Sequence, residues 1–142
     1  MSKDDLRVVE KANAGWFRLA KDHELFSDDR KFLLKVNLAN GDESALLRWV
    51  KVQFLDRWDI MGAEAASRVM GWDFGRPEFT MLSLNGLIIC ARTVWSDKIG
   101  SLLLPYPHRI ERIRRYAEWI PTMRSSSPDE QTAAAEWLQR YP

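Results

Sequence analysis

The sequence predicts a mainly α fold, a single compact helical domain of about six helices with room for one small β-hairpin at 87–104. Three observations predict it. Apolar residues recur at three- and four-residue spacing through several segments, as a one-sided helix requires. Several segment ends carry residues that cap or stop helices. A chain of 142 residues that is 46% hydrophobic can also bury one core without disulfides.

From Asp4 to Lys21, Leu6, Val9, Ala12, Trp16, Leu19 and Ala20 form an apolar stripe, and Arg7, Glu10, Lys11, Arg18 and Lys21 fall opposite. Ser27-Asp28-Asp29 reads as the start of a second helix: a serine hydroxyl accepts from an orphan amide, and carboxylates suit the positive dipole end. Asn40-Gly41 would stop it. Asp42 would then cap a third helix over 43–58. That segment is apolar nearly all round (Leu46, Leu47, Val50, Phe54, Leu55, Trp58) and is therefore expected at the centre of the core.

Ala63–Met70 reads as a short helix rich in small residues and ended by Gly71. For the following stretch the sequence admits three readings. Pro77 and Glu78 suit a helix that ends at Asn85-Gly86, with LIICARTVW and SLLLP as a hairpin after it. Asn-Gly equally suits a two-residue turn joining FTMLSL to LIICARTVW as strands. A single long helix is the third reading, since Met81, Leu84, Leu87, Ile88, Ala91 and Trp95 share helical spacing. Beyond Pro105 and Pro107, a helix over 108–120 places Ile110, Ile113, Ala117 and Ile120 on one face and stops at Pro121. Ser127-Pro128-Asp129-Glu130 is a capping box with proline at the first helical position, and the terminal helix should bury Ala134, Trp137, Leu138 and Tyr141.

In its order of elements, the region 62–104 resembles a winged helix-turn-helix. GAEAASRVMG would be the supporting helix, with Ala65, Ala66 and Ser67 at the crossing. WDFGR would be the turn, PEFTMLSLNG the second helix, and the two apolar runs after it the wing. The resemblance implies DNA binding, with the second helix in the major groove. That helix offers Glu78, Thr80, Ser83 and Asn85 but no arginine, so Arg76 in the turn and Arg92 in the wing supply the nearest guanidinium groups.

Charge distribution points the same way. The net charge is +1, yet residues 44–124 carry 12 basic and 8 acidic groups against 8 and 9 in 1–43 and 1 and 3 in 125–142. Arg109, Arg112 and Arg115 follow at i, i+3 and i+6, with Trp119 a turn beyond, so guanidinium groups and an indole share one helix face. Such a face suits phosphates and stacked bases, and equally an acidic protein surface. A solvated face partly neutralised by Glu111, four residues before Arg115, is the plain alternative.

The first functional expectation is therefore a small, non-enzymatic, regulatory nucleic-acid-binding protein. The second is a helical adaptor, inhibitor or immunity-type protein docking through its arginine and tryptophan surface. In both, the binding residues are Arg76, Thr80, Ser83, Arg92, Arg109, Arg112, Arg115 and Trp119, and a second copy of the chain is a further candidate partner. One cysteine and two histidines give no zinc-ligand spacing, and there is no phosphate loop or nucleophile motif, so no metal, cofactor or catalytic residue is expected. His108, three residues before Glu111, is the one acid/base pair the spacing allows. A charged N-terminus and the lack of a long apolar run point to a cytoplasmic protein without a membrane partner.

Overall fold

The computed structural model describes residues 7–37, 47–56, 59–60, 72–73, 76–94 and 98–142. They form two compact units, Met1–Pro105 and Tyr106–Pro142. The first unit is a helix on an antiparallel sheet, so the mainly α, six-helix expectation is wrong. Its elements are α1 (Val8–Asp22), β1 (Lys31–Asn37), β2 (Leu47–Gln53), β3 (Trp72–Asp73), β4 (Arg76–Pro77), β5 (Thr80–Leu82), β6 (Ile88–Val94) and β7 (Ile99–Pro105). Strands β2-β1-β5-β6-β7 make one sheet in that order, and among the described residues β3 and β4 pair only with each other.

α1 forms where the periodicity expects it, with Val8, Ala12, Trp16 and Ala20 buried at four-residue intervals. The segments read as the second and third helices are strands. Ser27 does not cap a helix; it closes a tight turn. Its amide donates to the Lys31 carbonyl at 3.0 Å and its carbonyl accepts from Arg30 at 2.8 Å, while its Oγ accepts from the Lys31 amide at 2.9 Å. Arg30 takes a φ of 59° to complete the reversal. The Lys31 ammonium, 2.5 Å from Asp29, holds that carboxyl below the usual carboxylate range, with the Ser27 hydroxyl as the next contribution. Short polar side chains serve caps and turns by the same hydrogen bonds, so this signal has two meanings.

β1 and β2 pair in register from Lys31↔Gln53 to Asn37↔Leu47. Val50, Val52 and Phe54 alternate with Lys51 and Gln53, a period of two that the helical reading of 43–58 passed over. Val50, placed by that reading in the core, is 37% exposed. The expected stop at Asn40-Gly41, the cap at Asp42 and the helix Ala63–Met70 lie outside the described residues.

The helix expected over 77–86 is absent. Thr80–Leu82 is β5, paired with β6 through Thr80↔Ala91, Met81↔Cys90 and Leu82↔Ile89, so the hairpin reading of Asn85-Gly86 is the one that forms. The loop is longer than two residues. Ser83 still pairs with Ile88 across it, its Oγ accepts from the Ile88 amide at 2.9 Å, Asn85 Oδ1 accepts from Leu87 at 3.0 Å, and Gly86 sits at φ 75°. The hairpin expected over 87–104 also forms, as β6 and β7 in register from Ile88↔Pro105 to Val94↔Ile99, but as two strands of five and not as an appendage.

One row across the core face runs Val50, Leu34, Met81, Cys90, Leu103. Met81 and Cys90, at its middle, are fully buried, and α1 lies against β6 and β7. Trp16, 1% exposed, meets Phe17, Phe26, Phe54 and Phe79 edge-on at centroid distances of 5.6–6.2 Å. Among the described residues no helix is long and apolar enough to cross a membrane.

The second unit is helical. α2 (Glu111–Trp119) follows a 3-10 turn at Pro107–Arg109, and α3 (Pro128–Arg140) follows a second at Ile120–Thr122. The capping box at Ser127 is present in both directions, at 2.7 and 3.2 Å. Ala117 of α2 and Ala134 of α3 are buried where the two helices meet.

Two stability outcomes follow from this architecture. Met81→Ala should cost about 2–5 kcal/mol in urea unfolding, because a filled mid-sheet position becomes a cavity, whereas Val50→Ala should cost about 1 kcal/mol or less. Equal losses would mean that the β2 edge is as deeply packed as the sheet centre. Gly15, inside α1, has nothing within 4 Å of the place a Cβ would occupy. Gly15→Ala should therefore stabilise the protein by roughly 0.5–1 kcal/mol, read as a higher urea midpoint.

Candidate functional site

The residues expected to act together lie in several places. Arg76 lies in the short β3–β4 ladder, opposite Asp73. Thr80 is a strand residue paired with Ala91, not a groove-facing residue of a reading helix. Ser83 is 3% exposed and spends its hydroxyl on the loop after β5. Arg92 is on the core face of β6 at 1% exposure, with its amide bonded to the Phe79 carbonyl at 2.9 Å. A helix-turn-helix needs a free helix over 77–86, where this chain has β5 and the turn at Asn85-Gly86, so the DNA-reading device is overturned.

The arginines after Pro107 divide between two places. With 3.6 residues per turn, Arg115, Trp119, Arg112 and Tyr116 fall within an arc of roughly 100° on α2. All four are exposed, Trp119 at 57% and Tyr116 at 55%. Their rings meet edge-on at a centroid distance of 6.4 Å. Arg115 is bonded to Glu111 at 2.5 Å, a solvent-facing i, i+4 pair that contributes little to stability. Among the described residues Arg112 has no such partner, so its charge is the free one on this face. Tyr116 was missed in the sequence, although it stands four residues after Arg112 and three before Trp119.

Arg109 belongs elsewhere. It precedes α2, and its guanidinium lies 4.8 Å from the centroid of the Tyr106 ring. Tyr106 itself adopts φ 51°, uncommon for a bulky residue. Arg109 lines an open cleft of about 580 Å³ with His108, Arg114, Arg140, Tyr141 and Pro142. His108 stacks on Tyr141 at 4.5 Å and 17°, and Arg114 Nη1 donates to the Tyr141 carbonyl. The acid/base pair of His108 with Glu111 is not formed, since Glu111 is engaged by Arg115. Arg140 and Tyr141 come from the far end of α3, and spacing along the chain could not have joined them to Arg109.

Two further features bear on chemistry. On the second face of the sheet, Leu33, Leu82, Ile89 and Leu104 form a continuous half-buried row. Flanking it, Trp49 is 48% and Leu102 49% exposed. Among the described residues no group of three histidine, cysteine or carboxylate side chains could hold a metal ion. Cys90 is fully buried, and desolvation pushes its thiol up to about 11. Native protein at pH 7.5 should therefore modify with a disulfide reagent at least about a hundredfold more slowly than protein unfolded in urea, since burial removes both the thiolate and access to it. Equal rates would contradict the burial of β6.

Comparison of the chain with protein families, with characterised proteins and with solved structures finds no match in any of the three.

Proposed function

We propose that the protein is a non-enzymatic interaction module that docks on an acidic protein surface through the exposed face of α2. The observation that carries this reading is the exposure of Tyr116 and Trp119, two large rings more than half open to solvent, on the same helix face as Arg112 and Arg115. Two adjacent exposed rings offer a partner a large apolar area to cover. Trp, Tyr and Arg are also the residue types that most often anchor protein interfaces. The rings supply the area that leaves water on docking, while Arg112 selects for carboxylates and speeds encounter. The same combination would suit phosphates and stacked bases, which is what remains of the nucleic-acid reading once its reading helix is gone.

The test is a pull-down from the native host, with and without nuclease. A partner that survives nuclease and is lost with Trp119→Ala, while the dichroism spectrum stays native, is the expected result. Measured against that partner, Trp119→Ala should weaken binding by about 2 kcal/mol, roughly thirtyfold. The double variant Arg112→Ala/Arg115→Ala should slow association and flatten its salt dependence. Loss of the partner on nuclease treatment would move the reading to nucleic acid. Self-association abolished by Trp119→Ala would name a second copy as the occupant. Unchanged capture by all variants would overturn the reading.

A further inference from the structure

In the second unit, three arginines line one cleft that has no Asp or Glu side chain in its lining. Tyr106–Pro142 as a whole is nearly balanced, with six arginines against five carboxylate side chains, so the excess is local. Arg109, Arg114 and Arg140 line the cleft, and no carboxylate of the described residues lies within ion-pair distance of any of them.

Two of the three are held in place without a counter-ion. The Tyr106 ring lies under Arg109. The Tyr141 carbonyl accepts from Arg114, and Tyr141 is in turn held by the stacked His108 ring and by a tilted contact with Trp137 at a centroid distance of 5.8 Å. One hydrogen bond leaves most donors of a guanidinium unused. Like charges gathered in this way repel one another, and a dianion placed among them relieves the repulsion while meeting the planar donor forks that match phosphate geometry.

We propose that Arg109, Arg114 and Arg140 bind a phosphate monoester dianion, with His108 and Tyr141 positioning Arg114. The class follows from charge and room. A single carboxylate needs only one guanidinium, and a cleft of about 580 Å³ lies in the size range of small-molecule sites, with space for the organic part of an ester beside the phosphate. The site shares no residue with the Arg112, Arg115, Tyr116 and Trp119 face and does not depend on its role.

The test is an amide chemical-shift titration with inorganic phosphate and with glycerol phosphate, against acetate and chloride at matched ionic strength. Both phosphates should saturate at 1:1 with shifts centred on residues 106–115 and 137–142, the ester more tightly. Arg109→Ala/Arg140→Ala, chosen because neither side chain makes a hydrogen bond within the described fold, should weaken binding at least tenfold while amide dispersion stays native. Trp119→Ala should leave the titration unchanged, which separates this site from the α2 docking face. Acetate binding as tightly as phosphate, a titration without saturation, or a double variant that binds like the wild type would each overturn the proposal.

Discussion

The burial of Trp16 is the constraint on which the first unit depends. Its indole is reached by Phe17 from its own helix, by Phe26 from the turn before β1, by Phe54 from the end of β2 and by Phe79 from the entry to β5. Phe17 and Phe54 stack on each other at 5.2 Å, and Phe26 meets Phe32 at 5.3 Å. These rings come from segments spread over more than half of the unit's length, so seating the indole also fixes where the chain enters and leaves the strands. Edge-on aromatic contacts are directional, and slipping β1 by one residue would turn Phe32 away from the cluster.

That helix also decides which face of the sheet is core. Among the described residues the side under α1 is the buried one, at Met81, Ile88, Cys90 and Ile99. The opposite row of Leu33, Leu82, Ile89 and Leu104 is left half-buried. Arg92 shares the core side through its register with Met81 and Cys90 two residues away, which is why an arginine that looks like a binding residue in the sequence is held inside.

In the second unit the division of labour follows from how one helix is buried. α2 turns Ala117 toward α3 and keeps Tyr116 and Trp119 in solvent. Arg114, between those two sides, meets the end of α3 through the Tyr141 carbonyl. Evenly spaced arginines in sequence thus become two separate groups: Arg112 and Arg115 beside exposed rings, and Arg109 with Arg114 and Arg140 around a cleft. The proposed docking surface and the proposed anion cleft therefore share no residue on one short helical unit.

The sequence by itself determined α1, α2, α3 and the cap at Ser127, because each depends on contacts a few residues apart: the four-residue burial period of α1, the isoleucine and alanine spacing of α2, and the reciprocal bonds of Ser127 with Glu130. It also contained the Tyr116 and Trp119 face, since that too is a matter of helical spacing. Tertiary structure alone decided the sheet. Ser27-Asp28-Asp29 satisfies amides equally well as a helix start or a turn, and the apolar residues of 43–58 fit both a period of 3.6 and the alternation of Val50, Val52 and Phe54. Asn85-Gly86 ends a helix as readily as it reverses a strand. The choice in each case came from pairing with strands tens of residues away and from packing against Trp16, and within the second unit a separate long-range contact, the stack of His108 on Tyr141, brings the end of α3 to the arginine cleft.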